Sequence, residues 1–152
     1  MATINNPVFI DTNILIYANL AMSPFHRQAI ERLQSLDEQR VDLWISRQTL
    51  REYLSGMTRQ GELTGDIPVA SLIADVRYFT NRFRVAEDSL QVTERLLVLM
   101  EQVSIGGKQV HDANIVATMQ AYGISQLLTH NVVDFNRFSE FITVLPLVGN
   151  EV

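Results

Sequence analysis

The sequence predicts an α/β fold: a central, mostly parallel sheet of about five strands with helices on both faces. Three observations predict it. Short apolar runs of strand type recur along the chain. The segments between them show the 3.6-residue period of helices that bury one face. Strands that alternate with helices in this way build a parallel sheet covered on both sides.

The elements follow in order. A first strand, Val8–Ile10, opens "VFIDTNILIYA"; it ends on Asp11, and a helix-compatible pattern starts after Asn13. Phe25, Ala29, Ile30, Leu33 and Leu36 form one apolar stripe, before a second strand at 41–45. Leu50, Tyr53, Leu54 and Met57 form the next stripe. Pro68, whose fixed φ suits a helix start, opens a helix to about Thr80. After a third strand at 83–86, Leu90, Leu97, Met100 and Val103 mark the inward face of another helix. Gly106 and Gly107 make a loop. The helix from Asp112 to Tyr122 stops at Gly123, a C′ position. Strands at Gln126–Thr129 and 142–145 complete the sheet. Two helices follow each of the first two strands, which is less regular than a simple doubly wound fold. No repeat, linker or low-complexity tract appears, so residues 1–152 read as one domain.

Composition narrows the function. Hydrophobic residues make up 47% and charged residues 19%, as in an ordinary globular chain with a sizeable core. No apolar run reaches the length of a membrane span, and the first Lys or Arg is Arg27, which argues against a secretory signal. The expected location is the cytoplasm, with no membrane partner. The absence of cysteine excludes disulfides, thiolate metal sites and a Cys nucleophile. A net charge of −5 argues against holding nucleic acid by bulk electrostatics, although a bound divalent cation reverses the field of an acidic site. Lys108 is the only lysine, against eleven arginines. Arg47, Arg51 and Arg84 are candidates for phosphate contacts.

Four acids stand apart from the other thirteen because they fall near strand ends or helix starts. Asp11 is either the N-cap of the first helix or a site residue outside the carboxyl end of a strand. Asp112 aligns with Ile115, Val116 and Met119, so it starts a core-facing stripe; it is either an inward-leaning cap or a ligand. Glu52 projects away from the stripe around it, toward solvent or a cleft. Asp134 lies just past a strand, a loop acid or the cap of a short helix. Converging carboxylates without Cys, and without a His pair at ligand spacing, suit Mg²⁺ or Mn²⁺. Such ions support phosphate chemistry. His26, His111 and His130 are scattered. No P-loop, GxGxxG, nucleophile elbow or HExxH occurs.

Here the residues resemble a known family. "FIDTNILIYA", "ISRQTLREYL", "VHDANIVATMQAYGI" and "LLTHNVVDFNRF" are similar, in order, to the four motifs of PIN-domain ribonucleases, and among these to VapC-like toxins of type II toxin–antitoxin modules. The resemblance covers essentially the whole chain. It implies a PIN-like (Rossmann-like) three-layer sandwich and a Mg²⁺- or Mn²⁺-dependent endoribonuclease. Asp11, Glu52 and Asp112 carry over as metal-binding catalytic acids, with Thr12 and Asn13 orienting the first. Many relatives have an acid two residues after the threonine matching Thr129; this chain has Asn131. Asp134 replaces that fourth catalytic acid, or Asn131 offers a neutral oxygen. The resemblance further implies an RNA substrate, a homodimer and a cognate antitoxin. Two rivals share the fold: a PIN nuclease in RNA processing, and an inactive PIN-like binding module. A phospho-receiver is disfavoured, because "FIDTN" has one acid where that class needs two and Lys108 precedes a helix.

Overall fold

The computed structural model describes residues 6–149. Five strands, β1 (Val8–Ile10), β2 (Leu43–Ser46), β3 (Arg84–Ala86), β4 (Gln126–Thr129) and β5 (Thr143–Pro146), form one sheet in the order β3-β2-β1-β4-β5. All four pairings are parallel, with Ile10 opposite Leu128 and Ile45 opposite Val85. The expected strands are all present, with edges moved by one or two residues.

The pleat sends alternate side chains to opposite faces, and that alternation builds two cores. Val8, Ile10, Leu43, Ile45 and Leu128 pack beneath α1 (Thr12–Asn19), α2 (His26–Glu38), α3 (Arg47–Thr64) and α4 (Val69–Arg82). Phe9, Trp44, Leu127 and Val144 face α5 (Leu90–Gln102), α6 (Gln109–Ala121) and a 3-10 helix at Val132–Phe138. The result is the three-layer α/β sandwich. Helix starts are written into the sequence: Ser46, which ends β2, caps α3 in a reciprocal capping box with Thr49, and Pro68 stands at the N-cap of α4. Gly123, at φ 71°, takes the left-handed turn that ends α6.

Two sequence expectations change. Along α5, Leu90, Leu97 and Met100 are exposed, while Val92 and Leu99 are buried, with Leu96 and Val103 packed beside them. Residues 92, 96, 99 and 103 have the same helical spacing as the stripe first read, and the seven apolar residues of this helix spread beyond one face. Packing on α6 selects between the two stripes. Ile30, read as part of the inward stripe of α2, is also exposed.

Candidate active site

In this strand order the connections run outward from β1 in one direction and from β4 in the other. Between β1 and β4 a crevice therefore opens at the carboxyl edge. Asp11 leaves β1 at that point and Thr129 ends β4 beside it. The Asp11 amide donates to the Leu128 carbonyl at 3.0 Å, which continues the sheet one residue further. Its carboxylate accepts from the Thr12 amide at 2.8 Å, the Thr129 hydroxyl at 2.7 Å and Asn13 Nδ2 at 3.3 Å. Asp11 is thus the N-cap of α1 and a member of the crevice at once. Burial pushes its carboxyl up to about 6; the hydrogen bonds from Thr129 and Thr12 oppose this, and the charges of Glu52 and Asp112 reinforce it. Asn13 also donates to Thr129 Oγ1 and accepts from the His130 amide, tying the start of α1 to the end of β4.

Glu52 lies in the second turn of α3, where the Ser46 cap sets the helix phase. Its Oε1 accepts from the Thr12 hydroxyl at 2.9 Å and its Oε2 from Gln48 Nε2 at 3.3 Å. Asp112 is not a cap: α6 begins at Gln109, and Lys108 occupies the N-cap position without a side-chain bond. Half-buried within the first turn, its carboxyl is pushed up to about 6. Desolvation is the main cause, followed by the charges of Asp134 and Glu52, with Arg137 and His111 opposing.

Asp11, Glu52 and Asp112 line one cleft of about 290 Å³ with Thr12, Asn13, Asn131 and Arg59. Asp134 is exposed on the 3-10 helix and is not part of this lining, although its charge reaches Asp112. Thr129 acts through Asp11, and its hydroxyl also accepts from the Asn131 amide at 3.0 Å. A larger hollow of about 610 Å³ lies among α1, α2 and α4, but its charged side chains, Asp37 and Arg82, are already paired with each other.

The histidines fall outside the cleft lining. His130 stacks with Phe25 at 4.2 Å and meets Tyr17 edge-on, and His26 Nδ1 bonds the Tyr17 carbonyl. His111 is exposed, its carbonyl accepting from Gln48. Of the candidate arginines, Arg47 grips Glu87 and Arg84 lies 3.6 Å from Asp42, both away from the cleft, and Arg51 is exposed. Sequence reasoning missed Gln48, Asn114 and Arg59. A signal existed for two of them: Gln48 and Arg59 sit four residues before and seven after Glu52, on the same face of α3.

Among the described residues, no three His, Cys, Asp or Glu side chains are arranged as a formed metal shell. The donor chemistry nonetheless fits a hard cation. The cleft offers carboxylate, amide and hydroxyl oxygens, and among the described residues none of its three acids makes an ion pair, although Arg59 lines the same cleft.

A fold with carboxylates gathered at the switch point of a parallel sheet defines a class, and comparison identifies it. The PIN domain family model matches residues 8–140; the chain belongs to the PIN-domain family. Its fold is similar to the DNA-bound VapBC of Salmonella typhimurium, with a TM-score of 0.67 and 19% identity over 95% of this chain and all (100%) of that one. A toxin–antitoxin complex from Klebsiella pneumoniae matches with TM-score 0.64 and 23% identity over 93% and 98% of the two chains. VapC20 of Mycobacterium tuberculosis, a sarcin–ricin loop cleaving toxin, matches with TM-score 0.59 and 16% identity over 79% and 86%. No curated protein sequence matches significantly. Among the described residues, no helix is long and apolar enough to cross a membrane.

Proposed function

We propose that this chain is a Mg²⁺- or Mn²⁺-dependent endoribonuclease, a single PIN domain over 1–152, acting as the toxin of a toxin–antitoxin pair. One observation carries the reading: three carboxylates from the N-terminal turns of three helices share a cleft at the sheet's switch point, and among the described residues none of them is held in an ion pair. Asp11, Glu52 and Asp112 would hold the ion, with Asn131 offering a neutral oxygen in the same cleft. Asp134, outside the lining, tunes Asp112 through its charge. Bound there, the ion would supply Lewis-acid charge neutralisation to a phosphodiester.

The residues themselves divide the remaining work. Thr12, Asn13 and Thr129 hold the Asp11 carboxylate in one orientation, and Thr12 turns Glu52 toward it. Asp112, half-buried in the same cleft, would help hold the ion and take a proton from the attacking water. The RNA-cleaving and antitoxin-bound neighbours support an RNA substrate and a silencing antitoxin. The resemblance to VapC-like toxins supports a cytoplasmic homodimer. An antitoxin tail that sets an arginine against the acids would suit the cleft, because charge-assisted contacts to unpaired carboxylates are strong.

The test is cleavage of a panel of tRNA, rRNA and mRNA with Mn²⁺ and with EDTA. Cleavage that needs the cation is expected; cleavage that survives EDTA contradicts the reading. A monomer in sedimentation, with no antitoxin gene adjacent, would favour a PIN nuclease of RNA processing instead.

A further inference from the structure

Glu52 and Asp112 are carried by helices on opposite faces of the sheet: α3 belongs to one core layer and α6 to the other. Something at the carboxyl edge must therefore set their spacing. Among the described residues, the side-chain hydrogen bonds joining α3 to α6 are both made by Gln48. Its Oε1 accepts from Asn114 Nδ2 at 2.9 Å, and its Nε2 donates to the His111 carbonyl at 3.0 Å. One turn along α3, the same Nε2 donates to Glu52 Oε2 at 3.3 Å. The side chain is buried, at 7% exposure, with both amide hydrogens and its carbonyl engaged. A buried amide is costly unless every polar atom is met, so an apolar residue would serve mere packing better.

We infer that Gln48, held by Asn114, is a positioning residue: it fixes the Glu52 carboxylate and the spacing from Glu52 to Asp112 across the cleft. Hydrogen-bond partners behind metal ligands typically govern metal affinity and activity by about 10- to 100-fold. The inference rests on the proposal above that these carboxylates hold Mn²⁺ or Mg²⁺.

The experiment compares the full-length wild type, Gln48→Met, Asn114→Ala and the double variant. Methionine keeps the length of glutamine without its hydrogen bonds. Three quantities are measured: the melting temperature without metal, Mn²⁺ affinity from thermal-shift titration, and kcat and KM for RNA. Gln48→Met is expected to fold, to bind Mn²⁺ about tenfold more weakly, and to lose kcat at least as much while KM barely moves. Asn114→Ala should lose less. The double variant should be no worse than Gln48→Met, because the two residues act as one unit. Should Gln48→Met fail to fold, Asn114→Ala, at a half-buried position, carries the same readouts. Wild-type Mn²⁺ affinity in both single variants, or additive losses in the double, overturns the inference and leaves the nuclease proposal standing. A wild type that binds no Mn²⁺ overturns both.

Discussion

Acids at the carboxyl edge of the sheet are treated differently from acids elsewhere on the molecule. On the surface, Glu87 is gripped by both ends of the Arg47 guanidinium and Asp37 pairs with Arg82, so charge meets charge. The Arg47 contact holds Glu87 below the usual carboxylate range. In the cleft, Asp11 is nearly buried and is met only by neutral donors, with Glu52 and Asp112 close enough to raise its pKa. Among the described residues no arginine pairs with these acids, although Arg59 lines the cleft and Arg137 opposes the rise at Asp112. The neutral donors orient the carboxylate without cancelling its charge. The contrast supports the proposed site: the surface acids are paired, while the cleft acids keep a largely unpaired negative charge for which a divalent cation is the natural complement.

The largest expected effect comes from deleting cleft charge. Asp112→Asn should fold normally, because Asp112 is not the cap of α6, and should cut RNA slower by a factor on the order of 10² or more, since an amide neither holds the ion nor takes a proton. Asp11→Asn should behave alike in cleavage assays. Wild-type cleavage by folded Asp112→Asn would remove that residue from the site.

A smaller effect concerns pH. A carboxyl whose folded pKa lies above its unfolded value binds more protons folded than unfolded, so stability falls as pH rises between the two values. For Asp11 these are 3.8 and about 6. Without metal, Asp11→Asn should therefore gain stability relative to wild type across that window, by up to about 3 kcal/mol. Denaturant melts at pH 4 and pH 7 measure this. A constant difference between the two proteins would mean that burial of Asp11 carries no such penalty.

Smaller again is the Tyr53 hydroxyl, which donates to Asp75 Oδ2 at 2.7 Å from a wholly buried ring. Tyr53→Phe should cost about 1 kcal/mol in a denaturant melt and leave cleavage intact. The smallest effect belongs to the exposed Arg47–Glu87 pair. Glu87→Gln should leave the melting temperature within about 2 °C, as exposed ion pairs contribute little. A large loss there would erase the distinction between surface and cleft acids.

Much of this contrast was legible in the sequence. Asp11 at a strand's end and Glu52 off its helix's apolar stripe point to the cleft, and both line it. Residue spacing records side-chain direction well on strands and on helices with one apolar face. It fails on α5, where Leu90, Leu97 and Met100 compete with Val92, Leu96 and Leu99 at the same period, and only packing decides. The choice between Asn131 and Asp134 was illegible for a related reason. Both follow β4 within one irregular turn and both are exposed; Asn131, at the N-cap of the 3-10 helix, lines the cleft, and Asp134, inside that helix, does not. For Gln48 the spacing from Glu52 marks its helix face, but its partner Asn114 lies sixty-six positions away and leaves no such mark.

The most direct test of the central claim is a thermal melt of the wild-type protein with and without millimolar Mn²⁺, at pH 8 and at pH 5. Cation bound only to the folded state stabilises by mass action, by about 2.7 kcal/mol at a hundredfold excess over Kd. With Asp11 and Asp112 each titrating at about 6, protons compete for the site at pH 5. A rise in melting temperature of several degrees at pH 8 that shrinks at pH 5 is the expected result. An unchanged melting temperature at pH 8, or an equal rise at both values, would contradict an ion held between these carboxylates.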